Sequence, residues 1–125
     1  MDKKTLLIVE DDEAALKTLA RYLEKENYDI KTAESIDSAF MILQSETVDI
    51  IISDYMMPGM NGIDFLRIAK ESWPCSARIL MSGYIDINMI IDSFNTDIIC
   101  RFIPKPWAGY DIKKMIGSSL SRRSD

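Results

Sequence analysis

Short apolar runs alternate with segments of helical periodicity along the whole chain. Apolar or alternating runs predict strands at 6–9, 28–33, 49–53, 78–82 and 98–103. Between them, apolar residues recur at helical spacing, first in Leu16, Leu19 and Leu23. The same spacing marks four further helical faces: Ile36, Ala39, Phe40 and Leu43; Ile63, Leu66 and Ala69; Ile87, Ile90, Ile91 and Phe94; Ile112, Met115, Ile116 and Leu120.

The strict alternation of strands and helices predicts an α/β protein with a parallel, doubly wound sheet covered by helices on both faces. Four of the strands are apolar throughout, as expected where both faces are buried, whereas YDIKTA at 28–33 alternates and predicts an edge strand. Since no linker or repeat interrupts the pattern, we expect a single domain over 1–125 with a core of about 5–120. The final SSLSRRSD leaves open a natural terminus or a linker to an output domain.

Composition narrows the class of protein. With 47% hydrophobic and 28% charged residues the chain is typical of globular domains, and its net charge of −5 argues against direct nucleic-acid binding. No apolar run approaches the roughly 20 residues of a membrane helix, and the N-terminus is too short in apolar residues for a signal peptide. We therefore expect a cytoplasmic protein without a membrane segment, in which Cys75 and Cys100 are free thiols.

The chain contains no histidine. Ser-His or Cys-His catalysis, His-ligated zinc and a phosphohistidine on this chain are therefore excluded. Any metal site would use carboxylate and carbonyl oxygens, which favours hard cations such as Mg²⁺.

Polar residues follow the predicted strands at the edge where ligands bind in an open parallel sheet. They are Glu10, Asp11 and Asp12 after the first strand, and Asp54, Ser82 and Lys105 after the third, fourth and fifth. Crowded carboxylates favour a divalent cation, while a lysine and a hydroxyl suit phosphoryl oxygens. Without a glycine-rich nucleotide loop, the most natural covalent group is Asp54, as an aspartyl phosphate. A helix-capping Asp54 is the alternative, although the next predicted helix begins seven residues later.

Four motifs occur in a characteristic order: IVEDDE, SDYMMPGMNGIDF, ILMSG and FIPKPW. From Leu6 to Leu120 the sequence closely resembles the receiver domain of bacterial two-component response regulators. The resemblance implies a flavodoxin-like five-stranded parallel sheet in the order 2-1-3-4-5 with five helices. It also implies that Asp54 accepts a phosphoryl group from the phosphohistidine of a sensor histidine kinase or phosphotransfer protein. The reaction would require Mg²⁺, with Mn²⁺ as a substitute.

The resemblance assigns a metal site. Asp11 would bind Mg²⁺ directly and Glu10 through water, together with Asp54 and the backbone carbonyl of Met56. The acid triplet leaves the register open, because sliding by one residue would make Asp11 and Asp12 the pair.

We favour Glu10 and Asp11, a choice that places Ala15 rather than Leu16 at the first buried position of the first helix.

The resemblance also assigns a switch. Lys105, joined to Pro106 by a cis peptide bond, would contact the phosphoryl group. Ser82 would move toward a phosphoryl oxygen, and Phe102 would turn inward behind it. The family's lifetime-tuning positions hold the bulky Met56 and Tyr84, which implies slow self-dephosphorylation.

The output face in this family is formed by the fourth helix, fifth strand and fifth helix. It would bind an output domain, a partner protein or, after phosphorylation, a second copy of the chain. Met89, Trp107 and Tyr110 are candidates there, and Trp107 is equally compatible with the core.

We expect no turnover of outside substrates. The alternatives are a degenerate receiver that binds partners without phosphorylation and a Mg²⁺-dependent phosphohydrolase, which would need an acid where Met56 stands.

Overall fold

The computed structural model describes residues 3–84, 86–108 and 110–120. The strands are β1 (Lys4–Val9), β2 (Tyr28–Ala33), β3 (Ile50–Asp54), β4 (Ala77–Ser82) and β5 (Arg101–Pro104). The helices are α1 (Glu13–Leu23), α2 (Ile36–Ser45), α3 (Gly62–Ser72), α4 (Ile87–Asn95) and α5 (Ile112–Ser119). All strands pair in parallel in the order β2-β1-β3-β4-β5, which confirms the predicted fold.

The helices cover both faces of the sheet. Side chains of α2 and α3 pack with one set of strand residues, including Leu7, Ile51 and Leu80. Side chains of α1 and α5 pack with the opposite set, including Ile8 and Ile52. Every residue of β3 and β4 is buried, whereas β2 is largely half-buried or exposed, as expected for the predicted edge strand. Within the described residues, no helix has the length and apolar character needed to cross a membrane.

The fifth strand begins later than the sequence predicts. Ile98 and Ile99 are buried, but their backbone N–H groups both donate to the carbonyl of Ser93 in α4. They close the end of that helix and reach the core before β5 starts at Arg101. An apolar run therefore extends beyond the strand because the helix-to-strand connection is also buried.

Helix α4 is present as predicted, but its apolar stripe faces outward. Ile87, Ile91 and Phe94 are 62%, 51% and 40% exposed. The buried residue of this helix is Ser93, whose hydroxyl donates to the carbonyl of Met89 at 2.8 Å. The spacing of apolar residues predicts that α4 is a helix, but it does not determine which side of the helix packs on the sheet.

The start of α3 lies directly against the end of β3. The Gly62 N–H donates to the carbonyl of Tyr55 at 2.8 Å, and Asn61 caps the helix through the Asp64 N–H. A Cβ atom on Gly62 would stand 2.2 Å from the carbonyl oxygen of Asp54. Only glycine allows this approach, so Gly62 fixes the backbone that carries Asp54.

We expect Gly62→Ala to lower the free energy of unfolding by about 1–3 kcal/mol, because the added methyl group must push β3 and α3 apart. Gly117→Ala is the matched control. Its Cβ would meet only the Tyr28 hydroxyl, at 3.9 Å, and alanine favours a helix over glycine by about 1 kcal/mol. Urea denaturation of both variants measures the difference. Equal effects of the two substitutions would contradict the close contact at Gly62.

Candidate functional site

The carboxyl ends of three strands bring two acids and a lysine together. Glu10 directly follows β1, Asp54 is the last residue of β3, and Lys105 directly follows β5. Both acids are buried, with exposed fractions of 6% and 8%. The Lys105 Nζ atom lies 3.1 Å from Asp54 Oδ1 and also donates to Glu10 Oε1. The ammonium group of Lys105 therefore bridges two buried carboxylates that lie at the ends of two other strands.

A third carboxylate completes the cluster. One oxygen each from Glu10, Asp11 and Asp54 lies within 4.8 Å of the others, and Asp11 is exposed to solvent. Oxygen donors at this spacing suit a hard divalent cation. Met56 lies in the loop after β3 with its side chain 63% exposed.

Asp12 has a different role from its neighbours. Its Oδ1 atom accepts hydrogen bonds from the N–H groups of Ala14 and Ala15 at 3.0 and 3.2 Å. Asp12 therefore caps α1, and Glu10 and Asp11 are the acids that gather around Asp54.

The expectation that Ala15 is the first buried residue of α1 is wrong. Ala15 is only half-buried, and the first buried residue of α1 is Leu16, at 4% exposure. A cap at Asp12 lets Glu10 and Asp11 face the site while Leu16 still reaches the core.

The electrostatics of the cluster depend on burial. Desolvation raises the pKa of Glu10, the charge on Asp54 adds to this effect, and the hydrogen bond from Lys105 opposes it. For Lys105, desolvation lowers the pKa, but the contacts with Glu10 and Asp54 outweigh it, so the net pKa is raised. The lysine stays charged while the carboxylates are crowded. Three carboxylates close to a single lysine favour the binding of a second positive charge at this site.

The proposed switch residues lie on β4 and β5. Ser82 ends β4, is fully buried, and accepts a hydrogen bond on its hydroxyl oxygen from the Tyr84 N–H at 2.9 Å. Phe102 lies on β5 opposite Leu80 and is half-buried against the core under α2 and α3. The peptide bond from Lys105 to Pro106 is cis, as the resemblance implied.

Two aromatic pairs surround the site, and the sequence did not reveal either. Trp107 packs on Tyr22 of α1 with ring centroids 4.7 Å apart, so it joins the loop after β5 to that helix and to the core. Tyr55 stacks on Tyr84 at 5.5 Å, across the loops that follow Asp54 and Ser82. Tyr55 and Tyr84 each stand just past a predicted strand end, and this position was the only signal of their pairing in the sequence. Their pairing depends on the sheet order.

Comparison with known proteins agrees with this geometry. A family described as the response regulator receiver domain matches residues 6–117. The chain belongs to this family. It is 37% identical over 106 residues to the hydrogenase transcriptional regulatory protein HoxA of Cupriavidus necator, covering 85% of this chain and 22% of that protein. It is 44% identical over 123 residues to the transcriptional regulatory protein ResD of Bacillus subtilis, covering 97% of this chain and 50% of that protein. The receiver therefore spans a fifth to a half of these relatives' length.

Solved structures show the same architecture. A signal receiver domain of an HD domain-containing protein from Pseudomonas fluorescens Pf-5 superposes with a TM-score of 0.88 at 28% identity, with 95% of each chain covered. A CheY-like response regulator receiver domain from Methanospirillum hungatei JF-1 gives 0.87 at 27% identity, covering 95% of this chain and 94% of that one. Receiver domains of this family are signalling phospho-acceptors that bind Mg²⁺ at an acidic pocket.

The raised pKa of Glu10 predicts a pH dependence for the metal-free receiver. Well below the ordinary pKa of 4.5 this acid is protonated in both the folded and the unfolded chain, so it adds nothing to the pH dependence of stability there. As pH rises above 4.5 and through the raised folded pKa, the unfolded chain ionises more readily, so the free energy of unfolding falls. Glu10→Gln should remove this fall.

Urea denaturation in EDTA at several pH values tests this expectation. The wild-type protein should lose stability relative to Glu10→Gln as pH rises over that window. Parallel pH profiles of the two proteins would show that the pKa of Glu10 is not raised by folding.

Proposed function

We propose that Asp54 accepts a phosphoryl group from the phosphohistidine of a sensor histidine kinase or phosphotransfer protein. The observation that carries the proposal is the pairing of Asp54 with Lys105 beside a carboxylate cluster at the end of a central strand. An Asp54 carboxylate oxygen attacks phosphorus, the bond from phosphorus to the donor imidazole nitrogen breaks, and the electron pair leaves with the imidazole. Membership of the receiver family supports this chemistry.

The proposed Mg²⁺ ligands are Asp11 and Asp54, with Glu10 acting through water and Met56 through its backbone carbonyl. The fit rests on the three carboxylates within 4.8 Å of one another. When bound, the ion would supply positive charge to the transferring phosphoryl oxygens. Lys105 supplies a second charge, and its bridge to Glu10 and Asp54 keeps it at the site.

Ser82 and Phe102 are the proposed switch residues. A phosphoryl group on Asp54 would draw the Ser82 hydroxyl toward it, and Phe102, half-buried on the neighbouring strand, would fill the vacated space. The result is a population shift between two arrangements of the face formed by α4, β5 and α5.

This face is the proposed binding surface for an output domain, a partner protein or, after phosphorylation, a second copy of the receiver. The outward apolar stripe of Ile87, Ile91 and Phe94 supports it. Of the earlier candidates, Tyr110 is 50% exposed, whereas Met89 and Trp107 are partly buried against the two cores.

The remaining parts of the proposal concern setting and lifetime. The relatives HoxA and ResD are named as transcriptional regulatory proteins, which supports a cytoplasmic role and a longer regulator as context. The net charge of −5 supports leaving nucleic-acid contact to a partner or output domain. We expect slow self-dephosphorylation, because neither Met56 nor Tyr84 offers an acid or amide to orient an attacking water.

Incubation with acetyl phosphate or phosphoramidate and Mg²⁺ should add the mass of one phosphoryl group to the receiver. Asp54→Asn should abolish the adduct, because an amide cannot act as the nucleophile. Intact-protein mass spectrometry measures both. No adduct with any donor would favour the degenerate receiver, and steady hydrolysis of an added phosphomonoester would favour the phosphohydrolase.

Mg²⁺ should raise the melting temperature of the receiver, because a ligand that binds only the folded chain stabilises it by about 2.7 kcal/mol at a hundred times its dissociation constant. Asp11→Asn should remove most of the rise. Asp12→Asn should retain it, because asparagine caps a helix as well as aspartate does. Thermal melts with and without Mg²⁺ provide the measurement. The reverse result would make Asp12 rather than Asp11 the direct ligand, and would favour the alternative register in which Asp11 and Asp12 are the pair.

A further inference from the structure

A stacked pair of tyrosines links the two loops beside the phosphorylation site. The rings of Tyr55 and Tyr84 lie 5.5 Å apart at an interplanar angle of 15°. Tyr55 is the residue after Asp54, and Tyr84 is two residues after Ser82. The stack therefore connects the proposed phospho-acceptor loop to the proposed switch loop.

The Tyr55 half of the stack is firmly anchored. Its N–H donates to the carbonyl of Met81 in β4 at 3.1 Å. Its carbonyl accepts hydrogen bonds from the N–H groups of Met57 and Gly62 at 3.1 and 2.8 Å. The tyrosine is thus fixed to the neighbouring strand and to the start of α3, and it provides a rigid support for the second ring.

The Tyr84 half is tied to the switch hydroxyl instead. Tyr84 is 50% exposed, and its N–H donates to Ser82 Oγ at 2.9 Å. To reach a phosphoryl oxygen on Asp54, the hydroxyl must leave this hydrogen bond or pull the Tyr84 segment with it. A segment that moves in this way separates its ring from Tyr55, whose backbone is held in place.

We propose that the stack of Tyr55 on Tyr84 is a latch that holds Ser82 in its resting position and opposes activation. Both are positioning residues, since they act on the site through Ser82. This inference rests on the phosphorylation of Asp54 proposed above. Because the latch requires both rings, removing either one should favour the activated arrangement to the same degree.

The test uses beryllofluoride, which mimics a phosphoryl group on a carboxylate, with the whole chain in saturating Mg²⁺. Calorimetry gives its dissociation constant for the wild type, Tyr55→Ala, Tyr84→Ala and the double variant. Each single substitution should tighten binding about two- to tenfold, the range expected for one aromatic pair. The double variant should bind no tighter than the stronger single variant, because the contact is already lost.

Tyr55→Phe and Tyr84→Phe are the matched controls, since phenylalanine keeps the stacked ring and should bind beryllofluoride as the wild type does. The Mg²⁺ dissociation constant without beryllofluoride should stay unchanged in all variants, which separates a latch from a general loosening of the site. If the wild type binds beryllofluoride while the alanine variants are unchanged, weaker or multiplicative in combination, the latch is wrong. If the wild type binds none, the proposed function fails and the latch fails with it.

Discussion

Repulsion among carboxylates at one edge of a parallel sheet is the constraint on which the site depends. Glu10 and Asp54 are buried at the ends of neighbouring strands, and desolvation raises the pKa of Glu10. Lys105 bridges both from another strand. Without a metal ion, the three carboxylates therefore carry more negative charge than the single ammonium group of Lys105 balances. A divalent ion or a change in the phosphoryl state would act on a site in which like charges already repel one another.

The packing around Asp54 confines the effect of this repulsion to the site and the loops beside it. Asp54 cannot move far, because Gly62 brings α3 against its carbonyl oxygen and every residue of β3 is buried. Side chains in the adjacent loops are more exposed, with Met56 and Tyr84 at 63% and 50%. A new charge on Asp54 would therefore be accommodated by the loops around it, and Ser82 lies at the base of one of them.

The C-terminal end of helix α4 is held by side chains of β4 and α3. Arg78, buried at the start of β4, donates to the carbonyls of Ile98 and Asp97 at 2.8 and 3.0 Å, and Lys70 donates to the carbonyl of Thr96 at 2.7 Å. The opposite end of α4 follows the Ser82 loop. An anchored far end and an outward apolar stripe suit a helix that transmits a change at the site to a binding partner.

The alternation of apolar runs and helical periods determined the five-fold β/α pattern and the edge strand, because those features depend on local spacing. The motif residues also placed Glu10, Asp54, Ser82 and Lys105 at strand ends, where the sheet brings them to one edge. The register of the acid triplet could only be argued from the sequence. The tertiary structure supplied the reason to separate Asp12, whose carboxylate caps α1.

Only the tertiary structure decided which face of α4 packs inward, where β5 begins, and that Tyr55 meets Tyr84. The physical reason is the same in each case. Sequence spacing records which residues share an element, but contacts between elements depend on strand order and on how each helix is rotated against the sheet. The stacked tyrosines lie 29 positions apart and meet because β3 and β4 are neighbours.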